Sequence, residues 1–313
     1  MSYDLLIEGL EMVKTVKSWS LDVINYNHKS RPYEYTCYSL NFQSDEVLKN
    51  TINDMCSKFN SIIDRYGRKV QEYTGANSKN VVDKISVSNK LISKPWDSLI
   101  QSLSVSDDYT KLKEIKSKAF IFVGTYIDDG NDQNIYLLSR KNPIYTYKKD
   151  RAKIFESRHN KIKEISEPLI QFGKTFDALI YKDTLYTINN NFESIFHMEY
   201  SHKVVCKNSL QTIREANVIK DFQSYNSFAL SGQHPKKFIT FDPRIIDNIQ
   251  QESNLKVLVD ELKIPYDYTS KKFDLIDEKQ ADVFTKAICG KTKYNMFTDG
   301  VCEVPNSIPL NLS

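Results

Sequence analysis

The sequence predicts a mixed α+β protein, and three observations carry that prediction. Aromatic and β-branched residues gather in short runs divided by small polar turns, the pattern of a sheet. Residues 44–67 carry apolar side chains at alternating steps of four and three, the stripe of a one-sided helix. Glycine is scarce, 9 in 313 residues, and no two glycines stand within four positions of each other. That excludes the P-loop and the dinucleotide-binding fingerprint, which use clustered glycines to bring backbone against phosphate. The expected order is N-terminal strands and a long helix, then a largely antiparallel sheet packed by C-terminal helices. A domain boundary is placed near residue 110, after a polar, acidic stretch, dividing residues 1–110 from 111–313.

Leu6, Leu10, Val13 and Val16 stand at helical spacing and predict a first helix over residues 5–19. Residues 21–26 and 33–42 read as paired strands around a turn at 28–32. The long helix follows, with Ser44 as its cap and Asp45 and Glu46 at the positive end of its dipole. Its stripe runs through Leu48, Ile52, Met55, Phe59, Ile62 and Tyr66, and Gly67 ends it. Residues 69–73 and 81–87 read as strands, and Pro95 with Trp96 opens a short helix to Leu103.

Residues 119–127, 135–139 and 144–147 read as a three-stranded meander. The clearest unit is residues 175–196. Two β runs flank Lys182 and Asp183, the length of a two-residue turn, although Lys-Asp is not the preferred turn chemistry and a looser turn fits too. Asn189, Asn190 and Asn191 are then candidate caps, and Phe192, Ile195 and Phe196 begin an apolar stripe. A hairpin feeding a helix places the main core here. The helix is expected to run on to Arg214 with a break near Ser201 and His202. Further helices are expected over residues 218–230, 243–250, 256–262 and 278–289, the last stopped by Gly290.

Apolar content of 40% and charged content of 27% describe a folded chain. With 43 basic and 40 acidic residues the net charge is +3, so a nucleic-acid surface requires local clustering. The five cysteines are odd in number and far apart, with no C-x-x-C, which fits a reducing compartment. The N-terminus lacks a basic n-region, and the longest apolar run, residues 119–124, is far below the roughly 20 residues of a membrane helix. The expectation is a soluble, cytoplasmic protein.

The cations do cluster in one place. Lys148, Lys149, Arg151, Lys153, Arg158, Lys161 and Lys163 face only Asp150 and Glu156, a net +5 over 16 residues. Such a strip neutralises phosphates and releases counterions without reading sequence. The same residues would also serve as a solvated surface. Lys236 and Lys237 form a smaller basic group.

Other constellations are weaker. His202 and Cys206 stand at i, i+4, but His197 lies round the helix and the zincin spacing is absent. Asp242 followed by Glu261-Leu262-Lys263, or Glu114-Ile115-Lys116 alone, has the form of a nuclease carboxylate and E-x-K, yet such triplets arise by chance at this charge density. Cys289 and His234 would make a nucleophile pair only if folding joined them. No residue is assigned a catalytic or metal-binding role, and no cofactor is implied.

Three stretches carry a family resemblance. They are Ala119-Phe120-Ile121-Phe122-Val123 with Ile135-Tyr136-Leu137-Leu138 and Asn142-Pro143; Phe176-Asp177-Ala178-Leu179-Ile180 with Leu185-Tyr186-Thr187-Ile188 and Phe192-Glu193-Ser194-Ile195-Phe196; and Gln280-Ala281-Asp282-Val283-Phe284. Over about residues 110–304 the chain resembles the KwaB domain family of the Kiwa anti-phage defence system. The resemblance implies a cytoplasmic effector that binds double-stranded phage DNA and does not cleave it. It also implies a membrane-embedded KwaA-like partner, recruitment to the inner membrane, and a homodimer or higher homo-oligomer. Two rival readings are a metal-dependent nuclease and a protein-interaction module that docks on a membrane protein through an apolar patch.

Overall fold

The computed structural model describes residues 2–26, 34–41, 44–75, 80–103, 105, 107–108, 119–140, 154–158, 161–165, 173–295 and 300–303. The chain forms two compact units, one of Met1–Glu72 with Asn80–His197, the other of Tyr73–Lys79 with Met198–Ser313. The boundary placed near residue 110 therefore falls inside the first unit. The reason is long-range pairing: strands from both sides of that point hydrogen-bond in one sheet.

The first unit begins with α1 (Ser2–Thr15), β1 (Ser18–Tyr26), β2 (Tyr35–Leu40) and α2 (Asp45–Arg65). It continues with β3 (Val70–Glu72), β4 (Val82–Ser86), α3 (Ser93–Leu103) and β5 (Asp107–Asp108). Then come β6 (Ala119–Asp128), β7 (Asn131–Arg140), β8 (Ile154–Arg158), β9 (Lys161–Ile165), β10 (Ala178–Tyr181), β11 (Thr184–Thr187) and α4 (Asn191–Ile195). Nine strands form one sheet in the order β3-β4-β11-β10-β7-β6-β1-β2-β5. The pairs are antiparallel except β3–β4 and β2–β5, which are parallel. The third strand expected at residues 144–147 lies outside the described residues, and β7 has β10 as its second neighbour.

Helices cover both faces of this sheet, which is why β6 reads as an unbroken apolar run rather than an alternation. On one face α1 and α2 bury Leu6, Leu10, Leu48, Ile52, Phe59 and Ile63 against Phe120, Phe122, Leu137 and Leu179. Phe59 stacks on Phe176 at 4.3 Å. Ser44 caps α2 as the sequence predicts, accepting from the Val47 N–H at 3.4 Å. The buried seam ends on Ile63, with Ile62 and Tyr66 only half-buried. An α-helix drifts against a strict seven-residue repeat, so the core-facing position moves forward by one. On the opposite face Trp96 of α3 meets Tyr136 edge-on at 5.0 Å. Gly124 is required opposite Trp19, because a Cβ there would stand 2.7 Å from the indole ring.

The β10–β11 hairpin turns on Lys182 and Asp183 alone, with Tyr181 opposite Thr184. Both turn residues are left-handed, φ 44° and 56°, the conformation that lets a two-residue turn follow strand twist. Lys182 is held by Glu8 at 2.8 Å. The three asparagines that follow do more than cap. Asn189 accepts the Asn191 backbone N–H through Oδ1, while Asn190, at the cap position, makes no side-chain cap bond. The side-chain amides of Asn189 and Asn191 each donate to Asp177 Oδ1 at 2.8 Å, and the Arg140 backbone N–H donates to Oδ2 at 2.6 Å. Asp177 is buried, so its carboxylate oxygens need those donors and draw the amides inward. Burial raises the Asp177 carboxyl above its ordinary range, against the pull of these hydrogen bonds.

The helix expected to run from Phe192 toward Arg214 stops first at Phe196. His197 is left-handed at φ 50°, and the break falls on it rather than near Ser201 and His202. Tyr26 and Tyr35 meet the imidazole edge-on at 5.0 and 5.5 Å, and Tyr35 donates to the Ile195 carbonyl at 2.8 Å. The positive-φ corner is over-determined by this aromatic packing.

The second unit is helical: α5 (Met198–Ala216), α6 (Phe222–Ala229), a 3-10 turn at His234–Thr240, α7 (Arg244–Asn248), α8 (Glu252–Lys256) running into a π segment at Val257–Glu261, and α9 (Glu278–Ile288). Two short antiparallel pairs accompany them, β12 (Tyr266–Asp267) with β13 (Lys272–Phe273) and β14 (Thr292–Asn295) with β15 (Gly300–Glu303). Its core gathers Leu210, Ile213, Tyr225, Phe238, Phe273 and Phe284. Asp277 caps α9 by accepting from the Gln280 N–H. Gly290 is left-handed just beyond its end, the stop the sequence predicts. No helix among the described residues is long and apolar enough to cross a membrane.

Candidate functional site

Lys148, Lys149, Arg151 and Lys153 lie outside the described residues. Arg158, Lys161 and Lys163 stand on the β8–β9 hairpin, where the register sets Arg158 opposite Lys161 and Glu156 opposite Lys163. Two cations and one cation–anion pair thus alternate along its ladder. β8 and β9 pair at five positions.

Lys236 and Lys237 occupy the 3-10 turn, and the structure separates their roles. Lys237 is half-buried and bonded to Asp282, which Lys286 also contacts at 3.0 Å. His234 faces the same carboxylate at 3.5 Å and the Lys237 amine at 3.3 Å. Burial raises the Asp282 carboxyl, but the Lys237 and Lys286 ammonium groups lower it by more, with a net downward shift. Lys237 is thereby committed to an internal pair. Lys236 lies 5.9 Å from the centre of the Tyr73 ring.

A second group of polar residues gathers round that 3-10 turn. Lys291, only 7% exposed, donates to the Thr74 carbonyl at 3.3 Å. Burial lowers its pKa and Lys236 lowers it further. His202, on α5, is 5% exposed, and burial followed by the charge of Lys236 brings its pKa down to about 4. Among the described residues, Thr74 Oγ1 and His202 Nε2 are buried with no hydrogen-bond partner. Local spacing could not have shown this group, whose members stand at positions 74, 202, 236 and 291. The one visible signal was Lys291 itself, a lysine directly after the helix stop at Gly290.

The other sequence candidates disperse. Cys206, a helical turn after His202, donates to the Ala229 carbonyl at 3.5 Å. Among the described residues no three His, Cys, Asp or Glu side chains are grouped to hold a metal. Glu261 ends a π segment and Lys263 is left-handed at φ 56°, so the pair lacks the common face a strand would give an E-x-K. Asp242 is engaged by Arg244 at 3.0 Å. Glu114, Ile115 and Lys116 lie outside the described residues. Cys289 is fully buried and its thiol is pushed well up by burial, while His234 lies against Phe228 and Asp282. These two do not form a nucleophile pair.

The fold and this geometry define a class: an α+β protein with a sheet covered by helices on both faces and a separate helical unit. Residues 125–289, more than half of the chain, match the KwaB-like family of Kiwa proteins, and the chain belongs to that family. It is therefore a component of Kiwa anti-phage defence. No curated protein and no solved structure matches the chain.

Proposed function

We propose that the chain is the DNA-binding component of a Kiwa defence system, holding duplex DNA through its phosphates without reading sequence. The observation that carries this reading is the cationic strip, net +5 over residues 148–163, in a protein otherwise close to neutral. Lys148, Lys149, Arg151, Lys153, Arg158, Lys161 and Lys163 supply the contacts. Lys236 and Lys237 add less, since Lys237 already neutralises Asp282. The protein acts in the cytoplasm as a homodimer or higher homo-oligomer and reaches the inner membrane through a KwaA-like membrane protein. It performs no catalytic step.

The test is a fluorescence-anisotropy titration of labelled duplexes of unrelated sequence at several salt concentrations. The expected result is one affinity for all sequences, falling linearly on a log–log plot with a slope of roughly −0.9 per phosphate neutralised. Charge reversal at Lys148, Lys149 and Arg151 weakens every duplex alike and flattens the slope. Binding that ignores salt, or is absent at low salt, overturns the reading. Supercoiled plasmid incubated with Mg²⁺ or Mn²⁺ stays intact; nicking would favour the nuclease.

A further inference from the structure

The β8–β9 pair carries more than a density of charge, because its register sorts the residues that the sequence only alternates. Residues two apart share a strand face, and directly opposed residues share it across the ladder. Glu156 and Arg158 on β8 and Lys161 and Lys163 on β9 therefore hold positions on one face, with Ile154 and Ile165 at its far end. The other face has Phe155 opposite Glu164 and Ser157 opposite Ile162. All three cations of the pair fall on the first face against one carboxylate, three minus one or +2.

Those three positions are not equivalent. Glu156 stands directly opposite Lys163, so that rung is a place for an ion pair. Arg158 stands directly opposite Lys161. Glu156 is placed only diagonally from Lys161, a separation of roughly 7–8 Å on an antiparallel ladder against roughly 5 Å for a direct pair. Like charges directly opposite destabilise paired strands. Two strands alone are marginal in water even without that penalty. β8 and β9 form a sheet of their own, joined to no other strand among the described residues. A phosphate at the Arg158–Lys161 rung attracts both residues and turns their repulsion into a shared contact, since guanidinium and ammonium are the donors its oxygens accept from. We propose that this rung is the point at which the strip holds duplex phosphates, and that the duplex in turn stabilises the β8–β9 pairing. The inference rests on the DNA reading above and divides the roles within it: Arg158 and Lys161 contact phosphate, while Glu156 with Lys163 keeps the two strands in register.

Hydrogen exchange of the full-length protein with and without a short duplex, beside the anisotropy titration, tests this. In the unaltered protein the amides of residues 154–158 and 161–165 should exchange at least threefold more slowly with duplex bound. Arg158→Glu makes the rung an unlike pair. It should slow exchange there about threefold in the free protein, yet weaken duplex binding at least tenfold and flatten the salt slope by about one. Lys161→Glu should do the same. Both reversals together restore a like-charged rung, so free exchange should return to the unaltered rate while binding falls below that of either single variant. Circular dichroism establishes folding; where Arg158→Glu does not fold, Arg158→Gln decides, with binding weakened at least threefold. Duplex binding that survives Arg158→Glu and Lys161→Glu within twofold overturns this inference and leaves the DNA reading standing on residues 148–153. Exchange in β8 and β9 that ignores duplex, or that stays slow in the double variant, overturns it as well. Absence of duplex binding by the unaltered protein overturns both.

Discussion

Asp177 in the first unit and Lys291 in the second are both charged side chains taken almost wholly out of water, each 7% exposed, and the two units treat them in opposite ways. Asp177 is surrounded by donors. Two asparagine amides and a backbone N–H fill both of its oxygens, and its own carbonyl accepts from Thr187 at 2.9 Å. Lys291 has one long hydrogen bond to a carbonyl among the described residues, and its charged neighbour Lys236 repels it. A saturated buried charge fixes geometry: here it joins the end of β7, the β10–β11 hairpin and the start of α4. An undersaturated one costs stability. The lesson is that burial alone does not tell an architectural charge from a destabilising one; the partner inventory does.

The comparison can be broken most directly at Asp177. Replacing it with Ala strands two buried amides and a backbone N–H, and should destabilise the first unit by about 3 kcal/mol in a urea melt. A loss below about 1 kcal/mol would show that the asparagines re-pair and that Asp177 anchors nothing.

Titration separates the units next. His202 has an ordinary pKa of 6.5, held down to about 4 by burial and by Lys236 on the 3-10 turn, with Glu199 on its own helix opposing. The unfolded chain therefore takes up the proton first. Stability of the second unit falls as pH drops below about 6.5 and levels off near 4, with a loss of about 2 kcal/mol at pH 5. Asp177 runs the other way. Its folded pKa is raised above 3.8, so its charged form costs stability, and the first unit gains from this group as pH falls through the raised value toward the ordinary one. Hydrogen exchange followed from pH 7 to 5 should show protection declining in α5 and not in β10 and β11. His202→Phe should remove that slope, and a slope that survives would assign it to other groups.

Lys291→Met sharpens the contrast. It deletes a charge with no opposite partner among the described residues, so the second unit should be unchanged or gain about 1 kcal/mol. A loss above about 2 kcal/mol would make Lys291 a structural tie like Asp177. Thr74→Val should have the smallest effect, within about 0.5 kcal/mol of neutral, because the hydroxyl it removes has no partner among the described residues to lose.

Much of the first unit was legible because its signals are local. Ser44, the stripe from Leu48 and the stop at Gly67 announce α2, and the runs on either side of Lys182 and Asp183 announce the hairpin. What misled the reading was competition from distant partners. Asn189 and Asn191 have cap chemistry, but Asp177 takes their amides. The helix after Phe196 has no breaker in its sequence; its break comes from the seating of His197 against Tyr26 and Tyr35. The pairing of Lys237 with Asp282, 45 residues on, could not be read from spacing either.

By itself the amino-acid sequence determined the α+β class, the place of the β10–β11 turn, the Ser44 cap and Gly290 stop, the family's packing runs and the concentration of charge at residues 148–163. Each of these is written in spacing over a few residues, where backbone dihedrals and side-chain period act. Only the tertiary structure decided that β1 pairs with β6, that the units divide at His197, and that Thr74, His202, Lys236 and Lys291 share one region. The physical reason is that pairing and burial depend on contacts between residues far apart in the chain, and hydrogen-bond saturation depends on which of those contacts form.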